Sequence, residues 1–197
     1  MFKIEVINEF DDKDCLERPD WNLHFLAMTY VVANRSFDTS TKCGCIATRD
    51  KLILSSGFNG PPAGSLDVQV PINSRPDKYW YMEHAERNTI YNACKSGINL
   101  RGCVFYVSGV PCTDCLRGML CAQPTEIVYL CANDTKMNHY KKDVILCGGT
   151  VDEYLCRVAP YTKIIEYSGF DIENSIISYL KDIHQDVCVR FGGNDNG

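Results

Sequence analysis

Apolar residues change their spacing several times along the chain, and each change predicts an element. Over residues 21 to about 36 the positions Trp21, Phe25, Met28, Val31 and Val32 recur at helical spacing. Two short apolar runs follow, at 43–48 and 52–58, and the polar TRDK between them predicts a hairpin. The turn formers of FNGPPAG come next, then a polar stretch to about residue 78. Helical spacing returns over 83–95 and stops near Gly97. GCVFYVS reads as a buried strand, CTDCLRGMLCA as a helix and EIVYLCA as another strand. A helix near 140–147 and a strand near 151–158 continue the alternation, and an amphipathic helix from about 172 to 187 precedes a Gly/Asn/Asp tail. Strands alternating with helices after one hairpin imply a three-layer α/β domain around a mixed sheet. With no repeat, low-complexity tract or linker, 1–197 reads as a single domain: an N-terminal extension over 1–20, a core over 21–158, and a C-terminal helix with a loose tail over 159–197.

Composition narrows the setting. With 197 residues, 45% hydrophobic and 23% charged, the chain has the makings of an ordinary globular core. MFKIEVINEFDDKDC has no basic flank, apolar run or small-residue cleavage site, and no apolar stretch is long enough to cross a bilayer. The expectation is a cytoplasmic protein that makes no use of a membrane. A net charge of −5 argues against a broad grip on a nucleic-acid backbone. It leaves room for one small anionic substrate, which needs only a few local donors. The 12 cysteines are too many to ignore, but without an export signal they do not imply a disulfide framework. Most, such as Cys103 and Cys131, lie inside apolar runs and read as small hydrophobes.

Two stretches carry candidate chemistry. VPCTDC sets Cys112 and Cys115 three apart, on one face of a helix's first turn, with Pro111 at the entrance. The positive end of the helix dipole there favours thiolate. A redox dithiol, a structural zinc site and plain core cysteines all compete for this pair, and a structural site would need two more ligands. A fourth possibility joins the pair to YMEHAERNTI. There His84 and Glu86 lie about 200° apart around an ideal helix, so they share no lateral face. At a first turn both can still converge on something beyond the helix end. His84, Cys112 and Cys115 would supply three ligands to Zn2+ and leave one tetrahedral position open, with Glu86 as the adjacent base.

His84-Ala85-Glu86 followed by Pro111-Cys112-Thr113-Asp114-Cys115 is the zinc deaminase signature. KCGCIA, SGFNGPPAG, EHAERNTIYNA, LRGCVFYVSGVPCTDC and IVYL resemble, in order, the successive blocks of deoxycytidylate (dCMP) deaminases within the cytidine deaminase superfamily. The resemblance covers roughly residues 21–158. It implies a three-layer α/β/α cytidine deaminase-like fold with a central mixed sheet of about five strands. It implies further that dCMP is hydrolysed to dUMP and ammonia, feeding thymidylate synthesis. Water attacks C4 while Glu86 carries its proton to N3 and then to the departing amine. By the same resemblance Asn59 and Gly60 contact substrate, the Ala85 N–H and the carbonyl near Val110 frame the pyrimidine, and Tyr79, Trp80 or Tyr81 could stack on it. The superfamily also implies a homo-oligomer, tetramer or hexamer, and dCTP and dTTP as possible regulators.

The likeness thins at the phosphate. Relatives carry Arg or Lys ahead of the strand that starts near Cys43, whereas RSFDTSTK has Ser40 and Thr41 there, flanked by Arg35 and Lys42. Lys42 is the candidate phosphate contact, hydroxyls can assist, and Lys136, Lys141 or Lys142 could substitute. Two rival readings stay open: the same core acting on another base (C5-modified dCMP, a free nucleoside or a purine), and a non-catalytic zinc-binding relative. Retention of Glu86 counts against the second, since a structural site has no use for that carboxylate.

Overall fold

A computed structural model of the protein describes residues 4–10, 18–66, 70–71, 74–131, 144 and 149–191. Asp20 starts α1 (Trp21–Ala33) by accepting the N–H groups of Asn22 and Leu23 on its carboxylate, at 2.8 and 3.1 Å. Then β2 (Gly44–Arg49) and β3 (Leu52–Phe58) form the expected hairpin, turned by Asp50 and Lys51 at φ of 51° and 63°. A 3-10 turn (Asp77–Trp80) leads to α2 (Ala85–Lys95), β4 (Val104–Val107), α3 (Thr113–Cys121) and β5 (Glu126–Cys131). After these come α4 (Val151–Val158), β6 (Lys163–Ser168) and α5 (Phe170–Phe191). The first strand, β1 (Glu5–Ile7), precedes them all.

The sheet has six strands in the order β1-β6-β5-β4-β2-β3. β2 is antiparallel to both β3 and β4, while β4–β5, β5–β6 and β6–β1 are parallel. Alternate side chains of the central strands face opposite layers. Phe105, Val107, Ile127 and Tyr129 pack with Ala85 and Ala93 of α2, Leu116 and Met119 of α3, and Leu155 of α4. Tyr106, Val128, Leu130, Ile165 and Tyr167 pack on the other side with Leu23, Phe25 and Leu26 of α1 and Ile172 and Ile176 of α5. The result is the expected α/β/α sandwich with one strand more than anticipated.

Residues 151–158, expected as a strand, form α4. Thr150 Oγ1 accepts the Glu153 N–H at 3.2 Å, and the Glu153 carboxylate accepts the Thr150 N–H at 3.2 Å. That capping box starts a helix whose one fully buried residue is Leu155. The strand lies further on, at KIIEYS, and its neighbour β1 comes from the segment expected to be an extension. The helix expected near 140–147 lies largely outside the described residues.

One consequence of the topology brings the site together. β3 and β4 each run antiparallel to β2, so they point the same way, and the chain leaving each carboxyl end enters a helix there. α2 and α3 therefore begin at the same end of the sheet. Gly57 on β3 lets α2 come close: a Cβ there would lie 2.5 Å from the Thr89 nitrogen and 2.7 Å from the Ala85 oxygen.

Candidate active site

The two helix starts present their chemistry from the same position. His84 is the N-cap of α2 and Cys112 the N-cap of α3, with ψ of 155° and 166°, so each side chain leaves extended backbone just before its helix. Cys115 lies in the first turn of α3, and its N–H donates to the Cys112 sulfur at 3.4 Å. The helix expected from Glu83 begins two residues later, which frees the imidazole to leave the helix end.

His84 Nδ1 lies 3.5 Å from Cys112 Sγ and 3.4 Å from Cys115 Sγ. Ligand bonds of ~2.0–2.1 Å to nitrogen and ~2.3 Å to sulfur around a tetrahedral ion set N and S about 3.6 Å apart. The imidazole nitrogen thus stands from both sulfurs at about the separation that Zn2+ would impose, and all three donors lie within 4.8 Å of one another. Both sulfurs are free thiols, so no disulfide competes for them. One imidazole and two sulfurs suit a borderline-soft ion, and the set fits zinc.

Charge at the pair is already arranged for a cation. The Cys115 thiol beside Cys112 holds the Cys112 sulfur well below the ordinary thiol range, with His84 assisting. Cys115 moves the opposite way, its proton retained by the bond to Cys112 and by burial. Cys112 raises His84 in turn. Glu86, second residue of α2, is only 5% exposed, and burial pushes its carboxyl up from the ordinary range. It lines the same cleft as His84 and Cys112, so the acid sits beside the donor set.

A cleft of about 700 Å³ opens over this group. His84, Ala85, Glu86, Val110, Cys112 and Asn59 line it, so six of the sequence-derived candidates meet in one cavity, and Cys115 lies within 3.4 Å of His84. Gly60 and Lys42 do not line it. Gly60 instead exchanges backbone bonds with Glu83, at 3.0 and 2.8 Å, which tethers the turn to the start of α2. Lys42 sends its ammonium to the end of α1, donating to the Asn34 carbonyl at 3.1 Å and its side-chain oxygen at 3.3 Å. Asn59 uses both ends of its amide on the neighbouring loop. Its Oδ1 accepts the Cys43 N–H at 2.8 Å and its Nδ2 donates to the Thr41 carbonyl at 2.9 Å. Of the three aromatics, Tyr79 lines the cleft, whereas Trp80 is 86% exposed and Tyr81 is exposed as well.

The lining includes two cations that the sequence reading does not name, Arg75 and Lys78. Their sequence signal is the cation–aromatic segment SRPDKYW at 74–80, shortly before His84, whereas the family resemblance points to cations ahead of β2 and after β5. Lys136, Lys141 and Lys142 lie outside the described residues. Lys78 is buried and pairs with Asp38 at 2.6 Å.

The family model described as "Cytidine and deoxycytidylate deaminase zinc-binding region" matches residues 19–131. The deoxycytidylate deaminase of Pongo abelii is 34% identical over 125 residues, 59% of this chain and 69% of its own length. A probable deoxycytidylate deaminase of Drosophila melanogaster is 30% identical over 177 residues, 83% of this chain and 86% of its own. In fold the chain resembles the apo dCMP deaminase of cyanophage S-TIM5, with a TM-score of 0.54 at 18% identity, over 76% of this chain and 98% of that one. The family match spans more than half of the chain and includes all three metal-donor residues, so this protein belongs to the cytidine and deoxycytidylate deaminases, a family with a zinc-binding region.

Proposed function

We propose that the protein is a zinc-dependent hydrolase that converts dCMP and water to dUMP and ammonia. The observation that carries this reading is the meeting of His84, Cys112 and Cys115 at ligand spacing beside the buried carboxylate of Glu86, with His84, Cys112 and Glu86 bordering one nucleotide-sized cleft. A structural metal site would not need that acid. The names of the relatives supply the substrate.

His84, Cys112 and Cys115 would hold the ion, which when bound supplies the Lewis acidity that makes a water nucleophilic near neutral pH. Glu86 accepts the proton of that water and passes it to N3 of the pyrimidine as C4 is attacked. It then takes the second proton from the hydroxyl added at C4 and delivers it to the amine, so the C4–N bond breaks, ammonia leaves, the C4 oxygen becomes the carbonyl and Glu86 finishes as the carboxylate it began as. The Ala85 N–H belongs to the first turn of α2 and has no acceptor within its helix, so it is available to the base. Val110 lines the same cleft, and by family likeness its carbonyl takes the complementary edge. Asn59 works as a positioning residue, holding the loop from Thr41 to Cys43 against the cavity.

By family likeness the reading extends to a homo-oligomer, tetramer or hexamer, in the cytoplasm, with dCTP and dTTP as regulators. No helix among the described residues is long and apolar enough to cross a membrane. Ammonia release by the zinc-loaded protein from dCMP, CMP, deoxycytidine and dAMP is the test. dCMP should be turned over best; preference for dAMP, or no release from any of the four, overturns the reading.

A further inference from the structure

We infer that Arg75 grips the 5′-phosphate of the substrate, supported by Lys78 and the hydroxyls of Ser40 and Thr41. The inference rests on the reading of the cleft as a nucleoside-monophosphate site and assigns the part of it that the sequence left open.

Five charged residues other than His84 line the cleft: Asp38, Arg75, Lys78, Glu83 and Glu86. Lys78 is neutralised by Asp38, and Glu83 accepts a bond from Arg87 Nε at 2.6 Å. Glu86 belongs with the sulfurs. Arg75 is left as the one lining cation with no carboxylate partner among the described residues.

Arg75 is also held in place. Its Nη2 donates to Ser40 Oγ at 3.1 Å, and its guanidinium lies over the Tyr79 ring at 6.0 Å from the centroid. Lys78 Nζ donates to the same Ser40 oxygen at 2.7 Å. Two cations are thus drawn onto one neutral hydroxyl, with a single carboxylate, Asp38, to offset them. Like charges gathered this closely repel, and an anion arriving beside them relieves the repulsion. The chain has donors to spare: guanidinium offers five and ammonium three, of which Ser40 and Asp38 engage only part.

The loop is shaped to keep this arrangement. Asp38 Oδ1 accepts the N–H of Ser40 at 2.8 Å and that of Thr41 at 3.1 Å, folding 38–41 into a tight turn that carries both hydroxyls to the cleft wall. A planar guanidinium matches phosphate geometry in a way an ammonium does not. This explains how the chain can lack cations at positions 40 and 41. The cations come instead from the segment ahead of α2 and meet the loop at Ser40.

The test compares the affinity of the zinc-loaded full chain for dUMP and for deoxyuridine, by calorimetry, which needs no turnover. Wild type should favour dUMP by roughly tenfold to a hundredfold, as expected for charge-assisted bonds to phosphate. The preference should weaken as salt is raised and should largely vanish in Arg75→Gln. Lys78→Met should reduce it too. That variant strands Asp38 and could unfold, so the decisive one is the exposed Arg75. Equal binding of the two ligands by wild type, or an undiminished dUMP preference in Arg75→Gln, overturns the assignment. A preference lost with Arg75 in a protein that deaminates nothing would uphold the phosphate grip and sink the proposed activity, so the two failures are distinguishable.

Discussion

His84 and Cys112 converge because each caps a helix, and that local fact was readable from the chain. H-x-E and P-C-x-x-C are helix-start patterns, and a helix start orients its side chains whatever lies further off. Glu86 is the residue on which hydrolysis turns in the proposed reaction. Glu86→Gln keeps the volume of a side chain that is 5% exposed. It should therefore retain zinc, measured by metal analysis, while turnover falls by roughly 10²- to 10⁴-fold. Cys112→Ala should lose zinc and melting temperature together, because metal affinity and folding are linked at such sites. A Glu86→Gln enzyme as active as wild type would remove the proton carrier from the mechanism. Arg75 and Lys78 were not legible in the same way. Nothing in SRPDKYW says that its cations turn inward, since what holds them is Ser40 and Asp38, nearly forty positions earlier.

At the scale of elements, burial of alternate side chains made most of the sandwich readable, and its failures have local causes. VDEYLCRV offers apolar residues at positions that suit either a strand or a short helix. The deciding signal was Thr150 followed by Glu153, a cap lying at the boundary of the apolar pattern. KIIEYS carries Glu166 in the middle of its apolar run. That carboxylate is nonetheless buried and accepts the Tyr129 hydroxyl at 2.8 Å, so the charge sits inside the sheet layer with a partner. The contact between β3 and α2 matters most for function, and it depends on Gly57. A methyl group there meets the backbone of the first turn of α2, not the end of a flexible side chain. Gly57→Ala should push α2 off the sheet, cost about 2 kcal/mol in urea-unfolding stability and weaken zinc retention. Unchanged stability and unchanged zinc content would mean that the helix start is not held in register by this approach.

Across the whole molecule, the pair Asp38–Lys78 ties the loop after α1 to the segment before α2, two elements packed on opposite faces of the sheet. Both side chains are 4% exposed, so each depends on the other. Breaking such a pair leaves an uncompensated buried charge, and Asp38→Asn should destabilise the fold by about 3 kcal/mol near neutral pH. The effect carries its own pH signature. Burial alone would raise the Asp38 carboxyl, but the Lys78 ammonium and the Ser40 and Thr41 donors outweigh it and hold the group below its usual range. A carboxyl lowered by folding contributes its full stabilisation above its unfolded value of ~3.9 and loses it as pH falls through the folded value. The stability gap between wild type and Asp38→Asn should thus be constant from neutrality down to about pH 5, then narrow below about pH 4 as wild type loses what the variant never had. Urea unfolding of both proteins across that range reads it directly. A gap that stays the same at every pH would assign the loss to packing or to hydrogen bonds indifferent to charge, and the ion pair would then not be what joins the two walls of the cleft.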